Sequence, residues 1–151
     1  MVKKLYDTNF DLWIEKTIQS LEIGDFKSID TENLIEELKD LGKSEKNALE
    51  SNLMILLAHL LKLKVQYDAP ESMQKSWYNS VDEHRKRVKR QLKKNPGLKS
   101  YFERAIAESY PDGRDLAISE GKRAKFGQDN DYPIECPLTV EEILDDHFYG
   151  I

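Results

Sequence analysis

The segment from Glu45 to Gln66 is the most hydrophobic part of the chain, and it constrains the fold more than any other feature. Its leucines recur at helical spacing and span nearly half of a helix circumference: Leu49, Leu53, Leu56, Leu57, Leu60, Leu61 and Leu63. An apolar face this wide must be covered by other elements of the protein. We therefore predict that this helix is the centre of the hydrophobic core.

Two amphipathic segments precede the leucine-rich helix. Thr8 is placed to cap a first helix that runs to Leu21 and stops at Gly24, and Asp30 is placed to cap a second helix. We expect both helices to bury their apolar positions, which are Phe10, Trp13, Ile14, Ile18 and Leu21 in the first and Leu34, Ile35, Leu38 and Leu41 in the second.

The triplet of Gly42, Lys43 and Ser44 resembles the end of a phosphate-binding loop. That loop also requires a glycine at the position of Glu37, so the triplet does not predict a nucleotide site. Gly42 fits the left-handed residue that ends one helix, and Ser44 fits the cap that starts the next. We interpret the triplet as the turn of a helical hairpin between antiparallel neighbours.

Further helical segments follow the leucine-rich helix. We predict a fourth helix from about Lys75 to Lys94. Its narrow apolar stripe consists of Trp77, Val81, Val88 and Leu92. A fifth helix begins near Leu98 and either kinks or restarts at Pro111. Thr139 and Glu142 form a capping box for a short last helix.

The fold class follows from these patterns. No segment shows the sustained two-residue alternation of a β-strand, and no linker divides the 151 residues. We predict an all-α protein, an up-and-down antiparallel bundle of four long helices plus short C-terminal helices, in a single domain over residues 1–151.

The hydropathy and the cysteine content of the sequence indicate where in the cell the protein resides. The longest apolar-rich run, Leu53 to Leu63, is too short to cross a bilayer, and the first residues do not predict a signal peptide. A lone cysteine, Cys136, fits a reducing compartment. We therefore expect a cytoplasmic protein that has no membrane partner.

Four stretches of the sequence carry a family resemblance: LYDTNFDLWIEK, ENLIEELKDLGKSEKNALESNLMILLAHLLKLK, SWYNSV and YPIECPLTVEEILDDHF. Together they resemble the domain of unknown function 29 family over nearly the entire chain. The sequence departs from that family at Leu63, where an aromatic residue is common, and at Gly97, where a serine is common. The resemblance implies a small helical bundle, found mainly in bacteria, and it implies no activity or site residues.

A polar seam runs along the leucine-rich helix, formed by residues spaced by seven: Glu45, Asn52, His59 and Gln66. One hypothesis is a metal-binding or small hydrolytic site, in which Glu36 and Glu37 of the preceding helix join His59 and Asn52. The other is a structural histidine at the margin of the core. No histidine has a carboxylate three or four residues before it. We therefore predict no metal and no cofactor.

The run HRKRVKRQLKK is strongly basic. It contains no acidic residue and seven basic ones, namely Arg85, Lys86, Arg87, Lys89, Arg90, Lys93 and Lys94. Because Val88 and Leu92 continue the core stripe, these bases surround most of the remaining helix. Such a surface fits nucleic-acid phosphates, a salt-bridged solvated face or a protein-docking surface.

The sequence contains no recognisable catalytic signature, neither a Gly-x-Ser-x-Gly elbow nor a Cys-x-x-Cys pair nor a glycine-rich fingerprint. It therefore favours a non-catalytic module that binds a protein partner, with a homo-oligomer as one form of that interaction. The alternatives are the metal-binding or hydrolytic bundle at His59 and a nucleic-acid binder through residues 85–94.

Overall fold

A computed structural model describes residues 2–124 and 131–151. The α-helices in these ranges are α1 (Val2–Thr8), α2 (Phe10–Ile23), α3 (Thr31–Val65), α4 (Glu71–Lys94), α5 (Phe102–Ala124) and α6 (Val140–Leu144). Two 3-10 turns, Phe26–Ser28 and Pro96–Tyr101, lie between them, and no β-strand occurs in the described ranges. The all-α prediction is confirmed, and the four long helices are α2 to α5.

The chain divides into two compact units, Met1–Glu45 and Lys46–Ile151. Helix α3 contributes residues to both units. The single domain over residues 1–151 stays a prediction.

In the second unit, α3 and α4 are antiparallel neighbours. The amide of Asn52 donates to Gln91 at 3.1 Å, whereas farther along α3 the Lys62 ammonium lies 5.6 Å from the centre of the Trp77 ring. Contacts that move forward along α3 therefore move backward along α4. The short connection after Val65 permits this arrangement.

Helix α5 runs in the same direction as α3. The hydroxyl of Tyr101 donates to Glu50 near the start of this pair, and the buried ammonium of Lys62 forms an ion pair with Glu120 near its end. The helices approach closely at Gly113, where an added Cβ would lie 2.9 Å from the Met54 carbonyl oxygen. The second unit is thus an up-down-up arrangement of α3, α4 and α5.

The predicted core is confirmed in this unit. All seven leucines of the central stripe are at most 2% exposed: Leu49, Leu53, Leu56, Leu57, Leu60, Leu61 and Leu63. The stripe of α4 is buried against them, through Trp77, Val81, Val88 and Leu92. Burial of this many leucines supplies the main driving force for folding of the unit.

Residues 131–151 pack onto the same core. The hydroxyl of Tyr110 donates to the Pro133 carbonyl at 2.6 Å, and Arg114 Nε donates to the Tyr132 carbonyl at 3.0 Å. The predicted capping box is present, because the Thr139 hydroxyl accepts from the Glu142 amide and the Glu142 carboxylate accepts from the Thr139 amide.

The first unit starts differently from the prediction. Thr8 ends α1, where its hydroxyl donates to the Lys4 carbonyl at 2.8 Å, and Asn9 is the residue that caps α2. The Asn9 side chain accepts from the Leu12 amide at 3.1 Å. Gly24 does end α2, in the left-handed conformation with φ of 77°. Two adjacent residues had comparable capping chemistry, and the additional helix α1 decided between them.

The predicted turn at Gly42 and Ser44 is wrong, because α3 is continuous from Thr31 to Val65. A glycine inside a helix costs only about 1 kcal/mol relative to alanine. Strong helix formers surround Gly42, and no proline follows to stop the helix. Helix α5 likewise continues through Pro111 rather than restarting there.

Candidate functional site

The first unit exposes most of its large apolar side chains. Eight of them are between 43% and 79% exposed: Phe10, Ile18, Leu21, Ile23, Phe26, Ile35, Leu38 and Leu41. Among the described side chains of this unit, Trp13 is the one large apolar group that is buried. The prediction that Phe10, Ile18, Leu21, Ile35, Leu38 and Leu41 are buried is therefore wrong.

Three of the four exposed apolar residues of α2, namely Phe10, Ile18 and Leu21, lie to one side of that helix, whereas Ile23 does not. Thr17 is buried and marks the inward direction. At 100° per residue, Phe10 and Leu21 lie about 20° and about 40° around the helix from Thr17, and Ile18 lies about 100° around in the same sense.

The exposed apolar residues at the start of α3 also lie to one side of their helix, in the same rotational sense from its contact with α1. The half-buried Glu37 accepts a hydrogen bond from the Tyr6 hydroxyl and marks the side of α3 that meets α1. Leu41 and Leu38 lie about 40° and about 100° around the helix from Glu37, and Ile35 lies farther in that direction.

We infer that these two sets form one surface. Tyr6 of α1, just before α2, contacts Glu37 in the second turn of α3, and the short connection 24–30 joins the other end of α2 to the start of α3. This places α2 antiparallel to the start of α3. When two antiparallel helices lie side by side, residues displaced around each helix axis in the same rotational sense from the line of contact point to the same face of the pair. We call this surface the apolar face, which consists of Phe10, Ile18, Leu21, Ile35, Leu38 and Leu41.

An aromatic cluster supports the apolar face. The Trp13 ring meets Tyr6 edge to face at 4.9 Å and stacks on Phe10 at 5.7 Å between ring centres. The hydrogen bond to Glu37 is the main cause that raises the pKa of Tyr6 to about 12. The cluster packs α1 against α2, and the hydrogen bond from Tyr6 to Glu37 joins α1 to α3.

The residues of the predicted polar site lie in two different units of the chain. Asn52 and His59 belong to the second unit, where Asn52 contacts Gln91 and His59 Nδ1 lies 2.8 Å from the Ile55 carbonyl and 3.2 Å from the Ser80 hydroxyl. Desolvation of the half-buried ring lowers the pKa of His59. A neutral His59 donates to the Ile55 carbonyl, which is the behaviour of a structural histidine.

Glu36 and Glu37 belong to the first unit, and they lie on the same helix as His59 rather than on a preceding one. Glu36 lies 3.7 Å from Lys39, and Glu37 accepts from Tyr6. Over the described residues, no three His, Cys, Asp or Glu side chains are grouped as metal ligands would be. The metal-binding hypothesis gains no support from this placement.

Arg85 is not part of the predicted basic surface, because it is only 1% exposed. Its guanidinium donates to three carbonyls of the C-terminal segment, those of Ile143 at 2.8 Å, Phe148 at 2.6 Å and Glu142 at 3.4 Å. The Ile143 carbonyl lies at the end of α6, where intrahelical donors are lacking, and Phe148 lies four residues beyond that end. Arg85 therefore acts as a structural link between α4 and the segment 142–148.

The other bases of α4 remain at the surface. Lys86, Arg87, Arg90, Lys93 and Lys94 are exposed, and Lys89 is half-buried. Arg87 pairs with Glu83 at 2.5 Å and Lys89 with Asp146 at 2.7 Å. Exposed ion pairs of this kind contribute little to stability, so these side chains remain available to a ligand.

Two of the surface clefts in the second unit have volumes above about 300 Å³. One, of about 320 Å³, is lined by Asn47, Glu50, Ser51, Met54, Glu108, Ser109 and Asp112, and the other, of about 340 Å³, by Asp82, Arg85, Lys86, Lys89 and Asp146. The lining of neither cleft includes a histidine or cysteine that could activate a nucleophile. Cys136 lies outside both, and desolvation raises the pKa of its thiol, which disfavours the reactive thiolate.

Comparison with known proteins identifies a family for this chain. None of the helices in the described ranges is long and apolar enough to span a membrane. No curated protein and no solved structure matches the chain significantly. The model of one family, Domain of unknown function DUF29, matches residues 5–149.

Proposed function

Because the chain belongs to the DUF29 family, a domain of unknown function, we propose a function from its own surfaces. The protein is a cytoplasmic, non-catalytic interaction module that binds another protein through the apolar face. One observation carries this proposal, which is that six large apolar side chains of α2 and α3 are 43% to 58% exposed.

The energetics favour a partner at this position. Transfer of apolar surface out of water contributes roughly 25 cal/mol for each Å² buried. Monomeric proteins rarely leave a contiguous apolar patch of more than a few hundred Å² uncovered, and larger patches mark interaction sites. A ligand that covers Ile18, Leu21 and Leu38 therefore removes apolar surface from water, and the complex is stabilised relative to the separate molecules.

The shape of the apolar face indicates the kind of ligand. Two antiparallel helices present parallel rows of side chains, Phe10, Ile18 and Leu21 on one and Ile35, Leu38 and Leu41 on the other. An amphipathic helix can lie along such a pair with its apolar residues between the rows. Helical recognition is the mode that this geometry fits.

A photo-crosslinking amino acid at Leu38 tests the proposal in the native cell. Glu36, on the same helix and exposed, is the matched control position. We expect a defined crosslinked protein product from position 38 that is absent from position 36. The same product must disappear when Leu21→Ser is added to the crosslinking variant. Equal labelling at the two positions, or no product at either, would refute the function.

A second candidate function is nucleic-acid binding by α4. In its favour, the exposed Lys86, Arg90, Lys93 and Lys94 have no carboxylate partner among the residues described by the structure. Fluorescence anisotropy with a labelled oligonucleotide tests it. Binding that weakens with added salt and is lost in the variant Arg90→Glu, Lys93→Glu supports this candidate, and salt-independent binding excludes phosphate contacts.

A further inference from the structure

The net charge of the protein resides in its first unit. Residues 1–45 contain eleven acidic and six basic residues, which gives −5, whereas residues 46–151 contain seventeen of each, which gives zero. The apolar face thus lies on the acidic unit. A ligand that approaches this face experiences an attractive field only if it is cationic.

One edge of the apolar face is lined by acidic residues alone. The exposed acids Asp11, Glu15 and Glu22 lie about 20° to about 60° beyond Ile18 around α2. Lys16, the one base in the α2 sequence, lies roughly 160° away from Ile18. The carboxylates therefore follow the length of α2 beside the apolar residues.

We propose that the occupant of the apolar face is a basic amphipathic helix of a protein partner, whose apolar stripe is bordered by lysines or arginines along the side that meets α2. This inference rests on the proposed function, because it names the chemistry of the partner at the same face. The apolar stripe supplies affinity, and the basic border sets orientation and selects against acidic helices.

The exposed area approaches what such a complex needs. At about 200 Å² for a large, fully exposed residue, the six residues of the apolar face present roughly 600 Å². A stable protein interface covers about 800 Å² on each partner. The apolar face therefore supplies most of the area on one side of such an interface, and the polar residues around it supply the rest.

A second copy of this chain is a weaker match for the same face. Two first units would bring a charge of −5 against a charge of −5. Like charges placed close together lower affinity and slow association. The charge distribution thus favours a cationic partner over self-association.

The test uses two synthetic amphipathic helices with the same leucine positions. One carries lysine at its border positions and the other carries glutamate, and each bears a fluorophore for anisotropy titration against the full chain. We expect the lysine peptide to bind at least about tenfold more tightly at low ionic strength. This preference should shrink near 1 M salt, where the Debye length falls to about 3 Å.

Two charge-reversal variants test whether the acidic edge causes the preference for the lysine peptide. The variant Glu15→Lys, Glu22→Lys should reverse this preference. The control Asp115→Lys, Glu135→Lys makes the same change of net charge at exposed positions of the second unit and should preserve most of it. Asp11 is left intact because an acid in the first turn supports α2. Circular dichroism of each variant verifies that the helices persist.

The outcomes separate the two proposals. Equal binding of both peptides, or an unchanged preference in Glu15→Lys, Glu22→Lys, overturns the basic partner while the crosslink from position 38 still supports docking at the apolar face. A dimer in light scattering that Leu38→Ser dissociates, and that competes with the lysine peptide, shows that a second copy is the occupant. Failure of both the peptides and the crosslink removes the function itself.

Discussion

The two ends of α3 place the same residue type in opposite environments. Leu38 and Leu41 in the first unit are each 58% exposed, whereas Leu57 and Leu60 in the second unit are fully buried. All four lie on one continuous helix with similar apolar periodicity. The difference arises from what surrounds each end, since α4, α5 and residues 131–151 cover the second end within its unit. The spacing of apolar residues thus identifies which side of a helix is apolar, but it does not identify what covers that side.

The largest expected effect is at the buried end of α3. Leu57→Ala should destabilise the protein by about 3–5 kcal/mol, because it removes methyl groups from a packed core and leaves a cavity. Leu38→Ala should change the free energy of unfolding by less than about 0.5 kcal/mol. Urea denaturation measures both. Similar losses at the two positions would show that Leu38 is packed in the folded monomer, and the contrast between the two ends of α3 would fail.

The second largest effect concerns Arg85, which is buried although the adjacent Lys86 and Arg87 are exposed. Arg85→Met should cost about 2–4 kcal/mol, because three carbonyls of residues 142–148 lose a charged donor. Lys86→Met, at the adjacent exposed position, should change the stability by less than about 0.5 kcal/mol. Chemical denaturation compares the two variants. Equal stability would mean that the contacts of Arg85 contribute nothing net.

Two glycines distinguish the units with smaller and opposite effects. Gly113→Ala should destabilise by about 1–3 kcal/mol, because the new Cβ would lie 2.9 Å from the Met54 carbonyl oxygen. Gly42→Ala should stabilise by up to about 1 kcal/mol, because nothing lies within 4 Å of its added Cβ and alanine favours a helix. Thermal unfolding of both variants provides the comparison. A destabilised Gly42→Ala protein would instead indicate a turn at that position.

The smallest effect is a pH dependence in the second unit. Burial lowers the pKa of His59 in the folded protein below its usual value of 6.5. The unfolded chain therefore binds the proton more readily, so the contribution of His59 to stability is complete above pH 6.5 and is lost as the pH falls toward the lowered pKa. Denaturation between pH 7.5 and pH 5 should show this loss, and His59→Gln should reduce the slope. An unchanged slope in that variant would assign the dependence to other groups.

The core of the second unit was predictable from sequence because its signal is redundant. The leucines from Leu49 to Leu63 fill nearly half a helix, and a face that wide has no stable place except an interior. The capping box at Thr139 and the end of α2 at Gly24 were predictable for a similar reason, since few residues satisfy those backbone positions.

The continuity of α3 was not predictable from local signals. Gly42 and Ser44 carry the chemistry of a helix end and a helix start, yet neither is strong enough to break a helix that strong formers extend on both sides. The exposure of Ile35 and Leu38 had no local signal either, because they recur at the same helical spacing as the buried leucines and lie in a segment that is as apolar as the rest of the chain. The burial of Arg85 had no local signal, since its acceptors come from residues 142–148, far along the chain.

The segment that holds Arg85 also limits how the protein can be cut. Gly150 lies against α3, where an added Cβ would meet the Leu60 carbonyl at 2.6 Å, so this part of the chain closes over the core rather than trailing from it. A protease that nicked the backbone between Asp145 and Phe148 would separate a buried cation from one of its oxygen acceptors. Such a nick should lower the stability of the second unit and so favour further digestion over a stable, trimmed remnant.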